Sequence, residues 1–123
     1  MPKVLLVEDD ESLRILYSRS LRLKKFDVET AADGADALVK VGIYMPDVIV
    51  LDIMMPELNG IEVLKILKND PEFKKIPILM LTTASDINTI KECLEKGATG
   101  YIMKGGSPDD IAKKINNIIG PSE

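Results

Sequence analysis

Six side chains capable of chemistry stand directly after apolar runs. Lys3 to Val7 closes on Glu8, Asp9 and Asp10. Val48-Ile49-Val50-Leu51 closes on Asp52, Ile78-Leu79-Met80-Leu81 on Thr82, and Tyr101-Ile102-Met103 on Lys104. Short apolar runs without alternation read as strands buried on both faces of a parallel sheet. The carboxyl ends of such strands share one edge, where open α/β sheets bind their ligands. Up to four carboxylates then meet there, and like charges raise one another's pKa values. Two compensations are available: the Lys104 ammonium, and a hard divalent cation with oxygen ligands. Mg²⁺ is the natural choice, because it combines one or two carboxylates with water and phosphate oxygens. An Asp carboxylate in that setting can attack phosphorus and form an aspartyl phosphate. The metal, Lys104 and the Thr82 hydroxyl would stabilise charge on the transferring phosphoryl group. Singly, each residue has an ordinary explanation: a capping acid, favourable charge at a helix start, a strand end, a solvated lysine. Jointly, four strand ends carry complementary chemistry.

The elements between these ends can be read from spacing. Asp9 or Asp10 is the N-cap of a first helix whose inner face carries Leu13, Leu16, Tyr17 and Leu21, with Lys24-Lys25 in its last turn. Phe26, Val28 and Thr30 alternate with polar residues, which places the second strand at a sheet edge. Asp33-Gly34 turns into a helix over about Ala35 to Val41, and Pro46 precedes the third strand. Asn59 caps a helix carrying Ile61, Leu64 and Leu67 that ends at Asn69-Asp70-Pro71. A fourth helix, about Asp86 to Lys96, carries Ile87, Ile90 and Leu94 and stops at Gly97, with Cys93 a small packing residue beside that face. Ser107-Pro108-Asp109-Asp110 starts the last helix, lined by Ile111, Ile115 and Ile118 and stopped by Gly120-Pro121. Five strand–helix units in alternation predict one α/β domain over residues 1–123. Its sheet would be doubly wound, parallel and five-stranded, in the order 2-1-3-4-5, with five helices on two faces.

Composition narrows the function. At 123 residues with 46% apolar and 29% charged side chains, the chain is globular and long enough for a core. Net charge of −4 argues against direct nucleic-acid binding. No apolar run reaches the length of a membrane span, and one cysteine fits a reducing cytoplasm. Histidine is absent, so any histidine chemistry must come from a partner. There is no Walker-type loop and no G-x-G-x-x-G, so no nucleotide cradle is recognisable.

Four segments, in order and at these separations, resemble the receiver domain of two-component response regulators, of the chemotaxis-regulator kind. They are Val-Glu-Asp-Asp at 7–10, Leu-Asp-Ile-Met-Met-Pro-Glu-Leu-Asn-Gly at 51–60, Leu-Thr-Thr-Ala at 81–84, and Gly-Ala-Thr-Gly-Tyr-Ile-Met-Lys at 97–104. The resemblance covers essentially the whole chain and implies a flavodoxin-like fold. It makes Asp52 the phosphoacceptor, Asp9 a direct Mg²⁺ ligand and Glu8 a second acid acting through water, with Met54 offering its backbone carbonyl. Thr82 would engage the phosphoryl group and Lys104 pair with it, and Tyr101 would be the aromatic whose rotamer follows phosphorylation. It also implies a sensor histidine kinase or phosphotransfer protein as donor, and an output protein bound by helix 4, strand 5 and helix 5. The chain itself would be a phosphoacceptor and not an enzyme, a monomer or a phosphorylation-dependent dimer. The tail after Gly120 is too short for an output domain, so output would be by binding another protein unless the chain is a fragment of a longer, for example DNA-binding, regulator.

Three positions depart from the family pattern. Lys104 is followed by Gly105-Gly106, where the family commonly has proline and a cis bond; two glycines loosen the loop that aims the lysine. Met54 and Ala84, which border the phosphoryl group in the family, are apolar and cannot orient water, so slow self-dephosphorylation is expected. An aspartyl phosphatase of similar fold would want an acid at position 54. A flavodoxin-like electron carrier would want a Ser/Thr/Gly-rich loop after strand 1, where Glu8-Asp9-Asp10 stands.

Overall fold

Every strand but the edge pair is inaccessible to solvent along nearly its whole length, because helices cover both faces of the sheet. The computed structural model describes residues 1–83 and 87–120. Its elements are β1 (Lys3–Val7), α1 (Glu11–Leu23), β2 (Asp27–Ala31), α2 (Gly34–Tyr44), β3 (Val48–Asp52), α3 (Gly60–Lys68), β4 (Ile78–Thr82), α4 (Ile87–Glu95), β5 (Gly100–Met103) and α5 (Pro108–Ile119). The five strands pair in parallel in the order β2-β1-β3-β4-β5. The alternating β2 lies at an edge, as its pattern predicts. The apolar runs of β3 and β4 are buried at all five positions.

Two cores lie on opposite faces of the sheet. Tyr17 and Leu21 of α1 and Ile111, Ala112 and Ile115 of α5 pack on Val4, Leu6, Val50 and Leu81. Ala37 and Val41 of α2, Val63, Leu64 and Leu67 of α3, and Cys93 of α4 pack on Leu5, Ile49, Leu51 and Met80. The helix starts follow the capping rules. Asp10, and not Asp9, accepts from the Leu13 N–H; Asp33 accepts from Asp36; Ser107 accepts from Asp109 with Pro108 at the first helical position. Asn59 and Glu62 form a reciprocal capping box.

Several sequence readings need correction. Leu16 is 48% exposed: the row facing the sheet is Leu13, Tyr17 and Leu21 at four-residue spacing, and Leu16 turns outward beside Ile15. Lys24 and Lys25 stand just beyond α1, which leaves Arg22 as the base of its last turn. α2 runs on from Val41 to Tyr44, since Gly42 is kept helical while its open side faces the Phe73 ring at 3.7 Å. In α4, Ile87 and Leu94 are exposed and Cys93 is the buried residue. The expected helix start at Asp86 and stop at Pro121 lie outside the described residues.

Candidate functional site

The crevice opens where the chain leaves β1 for β2 on one side and β3 lies on the other. Glu8 continues the β1 ladder by one residue, its N–H donating to the Ala31 carbonyl at 3.0 Å. This places its carboxylate inside the sheet edge, fully buried. Asp52 ends β3, equally buried, and its Oδ1 accepts from the Met54 N–H at 3.1 Å. Gly60 makes that end possible. Its N–H donates to the Ile53 carbonyl, and a Cβ there would lie 2.1 Å from the Asp52 carbonyl oxygen. Only glycine lets the start of α3 close so tightly over the strand end.

Lys104 comes in from the end of β5. Its N–H donates to the Thr82 carbonyl at 2.7 Å, which ties it to the end of β4. Its ammonium lies 2.9 Å from Glu8 Oε1 and 3.0 Å from Asp52 Oδ2. Both oxygens are otherwise without a hydrogen-bonding partner, so the ammonium serves them as a charge more than as a well-angled donor. The other Glu8 oxygen accepts from the Asp10 N–H at 3.0 Å. Oxygens of Glu8, Asp9 and Asp52 lie within 4.8 Å of one another. Three hard oxygen donors at that spacing, two buried and one open to solvent, fit a small divalent cation.

The electrostatics agree with that fit. Burial pushes the Asp52 carboxyl up to about 7; Lys104 opposes this, while the Asp9 hydrogen bond and the Glu8 charge add to it. Burial also raises Asp9, but its hydrogen bonds to Asp52 and Glu8, its own backbone and the Lys104 charge leave it below the ordinary value. The two shifts run in opposite directions, so of this pair Asp52 is the one that burial makes harder to ionise. Burial lowers the Lys104 amine, but its contacts with Glu8 and Asp52 raise it above the ordinary value.

The remaining expected residues are placed less uniformly. Thr82 ends β4 buried in the same edge. The Met54 side chain, two residues after Asp52, is 67% exposed. Tyr101 is 37% exposed on β5, with the Lys114 ammonium 5.5 Å from its ring centroid. The Lys104–Gly105 bond is trans, since the described residues contain no cis peptide, and Gly105 sits at φ +87°. Ala84 lies outside the described residues. Sequence reasoning passed over Arg14. From α1 its Nη1 donates to the carbonyls of Glu8 at 2.9 Å and Asp9 at 3.4 Å. In the sequence, Arg14 four residues after Asp10 looks like half of a surface ion pair, and nothing local marks it as a backbone clamp.

Known proteins share this chain's sequence and fold. The family model for the response regulator receiver domain matches residues 4–116. The chain is 40% identical over 121 residues to the alkaline phosphatase synthesis transcriptional regulatory protein PhoP of Bacillus subtilis, covering 98% of this chain and 50% of that one. It is 37% identical over 113 residues to the DNA-binding response regulator MtrA of Mycobacterium leprae, covering 92% of this chain and 49% of that one. It thus spans about half the length of the curated relatives it matches. The solved structure of the Vibrio cholerae chemotaxis protein CheY4 superposes with a TM-score of 0.91 at 38% identity, covering 96% of this chain and 98% of that one. A family model matching residues 4–116, with a superposition covering nearly the whole chain, shows that this chain belongs to the response regulator receiver domain family.

Proposed function

We propose that residues 1–123 act as one phosphorylation-switched signalling unit, with Asp52 as the phosphoacceptor. The observation carrying this reading is the Lys104 ammonium held between Glu8 and Asp52 at 2.9 and 3.0 Å, with Asp9 beside them. An Asp52 oxygen attacks the phosphorus of a phosphohistidine on a sensor kinase or phosphotransfer protein. The O–P bond forms as the N–P bond breaks, and the leaving imidazole takes up a proton. Asp9, Asp52 and the Met54 carbonyl would hold Mg²⁺, with Glu8 behind them as the buried balancing charge. A cation held by these residues would lower the repulsion among the acids and supply positive charge toward the phosphoryl group. Lys104 exchanges its contact with Asp52 for one with the phosphoryl group, and the Thr82 hydroxyl takes another phosphoryl oxygen. The loop after Thr82 then moves, Tyr101 turns inward, and the face built from α4, β5 and α5 changes its preference for an output protein. The Tyr101 position, half open on that face, supports the switch. The setting is the cytoplasm, in keeping with one buried, unpaired cysteine; no described helix is long and apolar enough to cross a membrane.

Incubation with Mg²⁺ and acetyl phosphate tests this. Mass spectrometry should show one added phosphoryl group, absent after Asp52→Asn or chelation of the metal. Continued labelling of the Asp52→Asn protein would falsify the assignment. Self-dephosphorylation should be slow, because the exposed Met54 thioether cannot orient a water. Met54→Asn should speed loss of the phosphoryl group, and an unchanged decay overturns the point.

A second reading is favoured by the coverage of the curated relatives, of which this chain spans about half. The chain would then be the receiver portion of a larger, DNA-binding regulator. The length of the natural gene product distinguishes the two.

A further inference from the structure

β2 ends the sheet, and a strand at an edge presents unpaired N–H and C=O groups to any extended chain that reaches it. The ladder with β1 identifies those groups. Asp27 donates its N–H to the Pro2 carbonyl, and the Ala31 carbonyl accepts from the Glu8 N–H, so Asp27, Glu29 and Ala31 turn their backbone groups toward β1. Val28 and Thr30, between them, turn theirs out of the sheet. Side chains occupy three of these four outward groups. Arg22, in the last turn of α1, donates from Nη2 to the Val28 carbonyl at 3.1 Å. Lys40 of α2 donates from Nζ to the Thr30 carbonyl at 2.6 Å. The Thr30 N–H donates to Glu29 Oε1 at 2.9 Å. The two helices lie on opposite faces of the sheet, so a cation comes round the edge from each side. Lys40 is kept there by Glu29 at 3.6 Å and Asp36 at 3.2 Å. Water satisfies the backbone groups of an open edge almost as well, so these bonds add little stability. What they add is occupancy: an arriving strand must displace both cations and the carboxylate.

The strand that fits this edge is β2 of a second copy of this chain. Two β2 strands laid antiparallel about a two-fold axis at residue 29 set Val28 of each opposite Thr30 of the other. Each such pair exchanges both of its backbone bonds, so every outward group on both strands is used. The contact is self-complementary, as a two-fold interface requires. The same register brings the two Glu29 carboxylates directly opposite one another, where like charges repel. We propose that the β2 edge is a self-association surface for a second copy of this chain, and that Arg22, Glu29 and Lys40 hold it shut. Arg22 and Lys40 fill the carbonyls that the second strand needs. Glu29 fills an N–H and repels its own counterpart.

The test follows the whole, unphosphorylated chain by sedimentation velocity as its concentration rises. Wild type is compared with the double variant Glu29→Thr, Lys40→Met and with a triple variant that adds Arg22→Met. Threonine keeps a strand former at position 29 and removes the repelling charge. Methionine keeps an unbranched stem at positions 22 and 40 and removes the donor. The triple variant should double in mass, and the double variant should do so only at higher concentration. In the doubled species the Val28 and Thr30 amides should exchange with deuterium more slowly than in the wild type. Thr30→Pro, added to the triple variant, removes an outward N–H that no ladder bond uses and should return the protein to single mass. A triple variant with native circular dichroism that stays at single mass overturns the proposal. Doubling that survives Thr30→Pro also overturns it, because association then uses another face. So does a wild type whose Thr30 amide gains protection with concentration, because its edge is then already open. If the triple variant does not fold, the double variant decides on the same terms.

Discussion

Asp52 is pulled two ways, and pH separates the pulls. Its carboxyl sits at about 7 in the folded protein against an ordinary 3.8, chiefly because it is buried. The folded state thus binds this proton more tightly than the unfolded chain. The resulting stabilisation is fully present below about pH 4 and is lost as pH rises through about 7. The contribution of Asp52 in the metal-free protein should therefore fall between those limits. A divalent cation must displace the same proton, so Mg²⁺ affinity should weaken as pH drops below about 7. Melting curves with and without Mg²⁺ should show a larger metal-induced rise at about pH 8 than at about pH 6. An equal rise at both would mean that Asp52 is ionised throughout. Asp9 moves the opposite way, held below its ordinary value by Asp52, Glu8 and Lys104 against the cost of burial, so it stays available as a ligand across that range.

At the scale of elements, the start of α3 positions Asp52. The capping box of Asn59 and Glu62 fixes where the helix begins, and Gly60 lets it close on the Asp52 carbonyl. Asn59→Ala should cost about 1 kcal/mol, as the loss of a cap does. Gly60→Ala should cost about 3 kcal/mol, because the clash is with backbone that cannot rotate away. Urea denaturation with an unchanged slope checks both, and a larger loss for Asn59→Ala than for Gly60→Ala would contradict the close approach. Gly34 meets a similar limit, its missing Cβ facing the Leu58 carbonyl at 2.6 Å, so α2 and α3 start against the same loop. The Asn59 cap was legible in the sequence. The need for glycine at 34 and 60 was not, because it arises from chain brought close by the fold.

For the whole molecule, the sheet divides the apolar residues into two cores that do not share side chains. Leu64 is fully buried on one face and Ile115 on the other. Leu64→Ala and Ile115→Ala should each cost about 2–5 kcal/mol. Across the sheet their effects should add to within about 0.5 kcal/mol, which a double-mutant cycle in urea measures. The sequence by itself determined the alternation of strands and helices, and the types of residue that end each strand. Both are local: runs of β-branched and aliphatic residues bury themselves on two faces, and capping side chains satisfy helix ends within a few residues. It also determined that the carboxylates, the hydroxyl and the ammonium share one edge, because parallel strands leave no other place for their ends. Only the tertiary structure decided which apolar residues face inward on amphipathic helices. Leu16, Ile87 and Leu94 point out, because inward room depends on where the neighbouring helix lies. Only the tertiary structure decided, too, that Lys104 bridges Glu8 and Asp52, and that Arg14 reaches the carbonyls of Glu8 and Asp9. Such contacts join residues far apart in the chain, whose distances are set by the packing of the whole domain.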